Sequence, residues 1–96
     1  MITQVLYNLS LLTFKPDEFI ISQGEIATNI VFMCRGKCEL LKQILHIKPV
    51  FIRKLAIGEM MGQFSVVLEA PSDCFIQSKN YSTLCGLSQK HIDKLL

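Results

Sequence analysis

Apolar residues come in short runs separated by polar, proline and glycine breaks at even spacing, a pattern that predicts strands more than long helices. Leu11–Phe14, Phe19–Ser22, Asn29–Cys34, Lys37–Lys42, Val50–Leu55, Asp73–Gln77 and Ser82–Leu87 each read as a strand. Pro16-Asp17, Gly24, Gly36, Gly58 and Lys79-Asn80 punctuate them, so the expectation is a mainly β roll. Helical spacing is confined to three places. Ile2, Val5, Leu6 and Leu9 space as one face of a leading helix. Phe64, Val67 and Leu68, at i, i+3 and i+4, predict a short helix with that face packed inward. Ser88 reads as the N-cap of a terminal helix carrying Ile92, Leu95 and Leu96. Lys42 to Pro49 reads as a variable hairpin loop, with Ile44, Leu45 and Ile47 expected to add order to it.

The segment Gly58–Cys74, GEMMGQFSVVLEAPSDC, carries the candidate chemistry. Gly58 and Gly62 permit backbone angles and close approaches that a side chain blocks. The N–H groups of Gln63, Phe64 and Ser65, at the start of the short helix, are free of intrahelical partners and suit an anion. Pro71 and Ser72 then break the helix before the strand that starts at Asp73.

In these residues, and in their order, the chain resembles the cyclic-nucleotide-binding domain family over nearly its whole length. Phe14-Lys15-Pro16-Asp17-Glu18-Phe19-Ile20-Ile21 followed by Gln23-Gly24-Glu25 is similar to the family's opening turn and strand. Asn29 to Leu40 resembles the next hairpin, with its mid-turn glycine at Gly36. Leu55 to Leu68 resembles the approach to the phosphate-binding cassette, and Tyr81 to Leu96 the last strand and following helix. The resemblance implies a cyclic-nucleotide-binding-like β-roll, a double-stranded β-helix or jelly roll, with short flanking helices. It also implies a ligand-binding set of Gly62, Gln63, Phe64, Ser65, Ser72, Asp73 and Cys74, with cAMP or cGMP as the ligand.

The departures from the family pattern bear on that ligand. Where ligand-binding members carry Phe-Gly-Glu, whose glutamate takes the ribose 2′-hydroxyl, this chain has Met61-Gly62-Gln63. Where they carry the arginine that pairs with the cyclic phosphate, it has Ser72, followed by Asp73. A glutamine amide lacks the charge assistance of a carboxylate, and a hydroxyl cannot form the bidentate ion pair of a guanidinium. Asp73 sets a like charge near a phosphate. Arg53 or Lys54 is the candidate for a substitute phosphate contact.

Ninety-six residues, half of them apolar, make one domain, 1–96. The family's lid helix is expected to follow beyond residue 96, and the chain reads as a part of a longer protein. A net charge of +2 with no Lys/Arg block argues against nucleic acid as a partner. Cys34, Cys38, Cys74 and Cys85 form no Cys-x-x-Cys pair, and His46 and His91 stand apart, so the expectation is no metal and buried, reduced cysteines in the cytoplasm. No run reaches the ~18 consecutive apolar residues of a membrane span, and the N-terminus lacks the basic start and cleavage site of a signal peptide.

No Ser/His/Asp or Cys/His arrangement and no phosphate loop ending in Gly-Lys-Ser/Thr is present, so the reading is not an enzyme and has no cofactor. It is instead a cytoplasmic regulatory domain with weakened or lost nucleotide binding, acting through other domains or subunits of its parent protein. The alternative is a working cAMP or cGMP sensor with an atypical cassette. The opening Ile2-Thr3-Gln4-Val5-Leu6 through Phe14-Lys15-Pro16 resembles the domains of voltage-gated cation channels and sperm-type sodium/proton exchangers, which implies a membrane-protein parent.

Overall fold

The computed structural model describes residues 2–94 of the chain, with side chains described over 9–88. Eight strands and one helix follow in order: β1 Ile2–Phe14, β2 Phe19–Ile21, β3 Asn29–Arg35, β4 Cys38–Lys42, β5 Val50–Lys54, β6 Met60–Met61, α1 Gln63–Leu68, β7 Phe75–Ser78 and β8 Ser82–Lys94. They form two antiparallel sheets ordered β1-β8-β3-β6 and β2-β7-β4-β5. The mainly β roll expected from the punctuation is the fold observed.

The core lies between the sheets. Val31, Met33 and Leu84 from one sheet pack with Ile21, Cys38 and Ile76 from the other, and Leu55 joins them. Alternation explains the selection: in β7 the side chains of Ile76 and Ser78 are buried while those of Phe75 and Gln77 are only partly covered. On the outer side Phe75 and Phe19 meet with ring centroids 5.1 Å apart.

Both terminal segments differ from the helices expected of them. Ile2–Phe14 is one 13-residue strand, and β8 runs through Lys94 as its partner, in register from Phe14↔Ser82 to Ile2↔Lys94. Short isolated helices are marginal in water, and here each end satisfies the backbone of the other by sheet pairing. Ser88 is accordingly a strand residue paired with Asn8 and Asn29, not an N-cap. Leu95 and Leu96 lie outside the described residues.

Two glycines are fixed by close approach. At Gly36, φ is +100° and a Cβ would fall 2.6 Å from Ser82 Oγ and 2.8 Å from the Tyr81 carbonyl oxygen. Gly86 sits mid-strand in β8, where a Cβ would meet Leu12 Cδ1 at 2.6 Å. Buried hydroxyls close this end of the roll: Ser78 Oγ donates to Ser82 Oγ at 2.9 Å, and Ser82 Oγ donates to the Lys37 carbonyl oxygen at 3.2 Å.

The β4–β5 connection is a loop whose base is clamped by Gln23, which accepts from the Gln43 N–H at 2.8 Å and donates to its carbonyl oxygen at 2.9 Å. Ile44, Leu45 and Ile47 are exposed and add no packing to it, contrary to expectation. Cys34 is also exposed, at the register shift between Met33 and Arg35 where β3 pairs with β8; Cys38 is buried and Cys74 and Cys85 are half-buried, all as free thiols.

Candidate functional site

The cassette begins where β6, pairing Met61 with Val31, delivers the chain to Gly62. Gly62 is the N-cap of α1 with φ 91°, and a Cβ there would press on the Asn29 carbonyl oxygen at 3.1 Å and Ile21 Cδ1 at 3.2 Å. Left-handed backbone and tight contact together require glycine. With no side chain at the cap, no side-chain hydrogen bond closes the start of the helix. The helix lasts six residues and ends at Glu69, itself left-handed at φ 50°.

The buried face of α1 is Ser65 and Val66, and the expected inward face of Phe64, Val67 and Leu68 points to solvent, with Phe64 81% exposed. The spacing identified residues that share a face and carried no information on its direction. Ser65 decides the direction. Its hydroxyl accepts from the Ala27 N–H at 2.7 Å and donates to the Ala70 carbonyl oxygen at 2.7 Å, tying the helix to the loop before β3 and to its own exit. A buried hydroxyl with both partners is stable, so the polar residue faces inward and the flanking apolar ones turn out.

The exit is held by a second set of bonds. Ile26 and Pro71 form an isolated antiparallel bridge. The Gly24 N–H donates to the Ser72 carbonyl oxygen and the Ser72 N–H to the Glu25 carbonyl oxygen, each at 2.8 Å. The Ser72 side chain turns to its own backbone, donating to the Cys74 carbonyl oxygen at 2.9 Å and accepting from the Cys74 N–H at 3.4 Å.

Between α1 and this exit lies a pocket of about 330 Å³ lined by Ile21, Met61, Gly62, Gln63, Phe64, Ser65, Ala70, Pro71, Ser72, Asp73, Cys74 and Ile76. Every residue of the expected set, Gly62, Gln63, Phe64, Ser65, Ser72, Asp73 and Cys74, is among them. The apolar wall from Ile21, Met61 and Ile76 was not anticipated; Ile21 and Ile76 alternate inward from β2 and β7, a signal legible only once strand direction is known.

Beside the main-chain N–H groups at the start of α1, the polar side chains of the wall are mostly hydrogen-bond acceptors. Ser72 has committed its one hydrogen, and Asp73 is the one lining side chain with a full charge at neutral pH. Burial pushes the Cys74 thiol up, an effect that the Ser72 hydroxyl opposes and Asp73 reinforces, so it stays neutral. Lys42 lies close enough to Cys74 to be felt electrostatically, yet it does not line the pocket. Arg53 is also outside the lining. Its guanidinium grips Glu59 at two points, one of them Nη1 to Oε1 at 2.8 Å, which corrects its expected availability for a phosphate. Arg53, and after it the Ala56 N–H at 2.9 Å, hold the Glu59 carboxyl below the usual range.

Among the described residues, no cluster of three His, Cys, Asp or Glu side chains is placed to hold a metal ion, and no helix is long and apolar enough to cross a membrane.

Solved structures with the same fold include the regulatory domain of Toxoplasma gondii protein kinase A with cAMP, at TM-score 0.77 and 18% identity over 83% of this chain and 31% of that one. The regulatory subunit of a cAMP-independent protein kinase A from Trypanosoma cruzi, bound to guanosine, matches at TM-score 0.75 and 19% identity over 83% and 28%. The Thermus thermophilus catabolite activator protein matches at 0.77 and 19% over 83% and 38%. At such identities the likeness is one of fold, and the chain spans about a third of the length of these structures. No curated protein matches. The family model described as the cyclic nucleotide-binding domain matches residues 11–96, and with the roll and its cassette in place the chain belongs to that family.

Proposed function

We propose that this chain is a cytoplasmic regulatory domain of a larger protein, in which the cassette keeps its shape and has lost strong binding of cAMP and cGMP. The observation that supports this is the charge of the pocket wall. No cation lines it, Ser72 stands where ligand-binding relatives place an arginine, and the adjacent Asp73 repels a phosphate. Loss of one charge-assisted hydrogen bond costs roughly 1.5–3 kcal/mol, about ten- to a hundred-fold in affinity. The Trypanosoma cruzi relative, a regulatory subunit of a cAMP-independent kinase, is a precedent for this fold without cAMP control.

On this reading the domain works by packing against other domains or subunits of its parent, shifting that protein between two states by differential contact. A channel or exchanger parent rests on the resemblance of the opening Ile2-Thr3-Gln4-Val5-Leu6 through Phe14-Lys15-Pro16. With Ile2–Phe14 extended as strand, the aromatic-Lys-Pro turn is the support that stands for it.

A second reading is a nucleotide sensor that works through Gln63, Ser72 and the cassette N–H groups. The convergence of Gly62, Gln63, Phe64, Ser65, Ser72, Asp73 and Cys74 on one pocket favours it, as does the Toxoplasma gondii relative recorded with cAMP. Titration of the chain with cAMP and cGMP, followed by calorimetry and by the amide shifts of Gly62 to Ser65, separates the two. The first reading expects no saturable response below millimolar nucleotide; saturation at micromolar levels establishes the second.

A further inference from the structure

Resting on the reading that strong cyclic-nucleotide binding is lost, we infer that the pocket takes an uncharged nucleoside in place of an anionic cyclic phosphate. The cavity is built and open: about 330 Å³, with a glycine at its floor and an apolar wall from Ile21, Met61 and Ile76. That size and lining suit a small flat ring system with a polar appendage.

What the wall offers that appendage decides its class. The Ser72 hydroxyl gives its hydrogen to the Cys74 carbonyl oxygen, leaving only accepting capacity toward the cavity. The neighbouring Asp73 carboxylate accepts only. Ser65 is saturated by Ala27 and Ala70 and contributes nothing to a ligand. The Cys74 thiol is neutral and a weak donor. Gln63 alone among the lining side chains brings both a strong donor and an acceptor.

A phosphate diester carries a negative charge and no donor; the N–H groups at the start of α1 can meet it, but at the place where its counter-ion would sit it finds the Ser72 oxygen and the like charge of Asp73. Ribose hydroxyls are donors. They match the Asp73 carboxylate and the Ser72 oxygen, while the base lies along the isoleucine and methionine wall. Of the cations that could reverse this preference, Arg53 is paired with Glu59, and Lys42, though felt at Cys74, does not line the pocket.

Calorimetric titration of the 96-residue chain with adenosine and guanosine, beside cAMP and cGMP, tests the inference. The same four ligands are then run on Asp73→Asn, an exposed position whose backbone lies outside the left-handed region. Saturable nucleoside binding at least tenfold tighter than the matching cyclic monophosphate is expected, with Asp73→Asn narrowing that ratio by about tenfold. No heat and no amide shift at Gly62 to Ser65 with millimolar nucleoside overturns the inference and leaves the proposed loss of cyclic-nucleotide binding standing. Cyclic monophosphate binding as tight as nucleoside overturns the inference, and at micromolar levels it overturns the proposed loss as well. A ratio unchanged in Asp73→Asn removes the electrostatic basis of the selectivity and overturns the inference as argued.

Discussion

The Ser72 hydroxyl donates to the Cys74 carbonyl oxygen at 2.9 Å, so the side chain in the arginine position of the cassette is turned back onto its own loop. The pocket beside it keeps its shape without that arginine. Its exit is held by main-chain bonds between Gly24, Glu25 and Ser72 and by the bridge of Ile26 to Pro71, none of which needs a ligand or a cation. The bonds that shape the pocket are therefore independent of the side chain in the arginine position.

Ser65 is the residue on which the orientation of α1 depends. Ser65→Ala leaves the Ala27 N–H and the Ala70 carbonyl oxygen without their partner in a buried place, and is expected to lower unfolding free energy by about 1–3 kcal/mol. Urea denaturation checks the value. A change below a few tenths of a kcal/mol contradicts the role given to this hydroxyl.

Gly36 tolerates no side chain. Its positive φ and the 2.6 Å approach of a Cβ to Ser82 Oγ predict that Gly36→Ala costs about 2 kcal/mol or more, by strain and by displacement of the Ser78–Ser82 hydroxyl pair. At Gly24, also at positive φ, nothing lies within 4 Å of a Cβ, so Gly24→Ala meets only the backbone cost and is expected to be the milder of the two. Equal losses in denaturation refute the packing argument.

Much of this was legible in the sequence, and the misses share a cause. The strands at 29–35, 38–42 and 50–54 follow from short apolar runs bounded by Gly24, Gly36 and Gly58, where punctuation fixes the ends. The cassette residues came from the family resemblance, and they line one pocket, where Gly62 and Pro71 bound the chain between them. The failures lie where periodicity is degenerate. Ile2, Val5, Leu6 and Leu9 fit a helix face, but pairing with a distant segment, Ser82–Lys94, outweighs local spacing. Phe64, Val67 and Leu68 share a face whose direction is set by Ser65 bonding to Ala27, a contact 38 residues away in sequence. Likewise Arg53 looked free until Glu59 came alongside it.

The Arg53–Glu59 pair gives a signed pH dependence. The folded-state carboxyl is held below its unfolded value, so the pair's contribution is present above the unfolded pKa of about 4.3 and is lost as pH falls through the lower folded value. Both groups are partly exposed, so the size is ~0.2–1 kcal/mol. Denaturation from pH 6 down to about pH 2 should show a shallower loss in Glu59→Gln than in the unsubstituted chain. Identical slopes contradict the assignment.

Thiol accessibility gives a further check on the fold. Cys34 is exposed and is expected to react first with a maleimide at neutral pH. Cys38 is buried with its thiol pushed up by desolvation, so it should label only on unfolding, and Cys74 should fall between them. Mass spectrometry of the labelled peptides gives the order, and early labelling of Cys38 contradicts the sheet packing described.

The central claim of the proposal is that the missing charges in the cassette, and no defect in its shape, weaken its binding of cyclic nucleotides. The most direct measurement is calorimetric titration of cAMP into the double variant Gln63→Glu with Ser72→Arg beside the unsubstituted chain. A gain of at least an order of magnitude is predicted, since a charge-assisted pair with phosphate and another with the ribose are restored. Equal affinity in a folded double variant contradicts the account of the pocket.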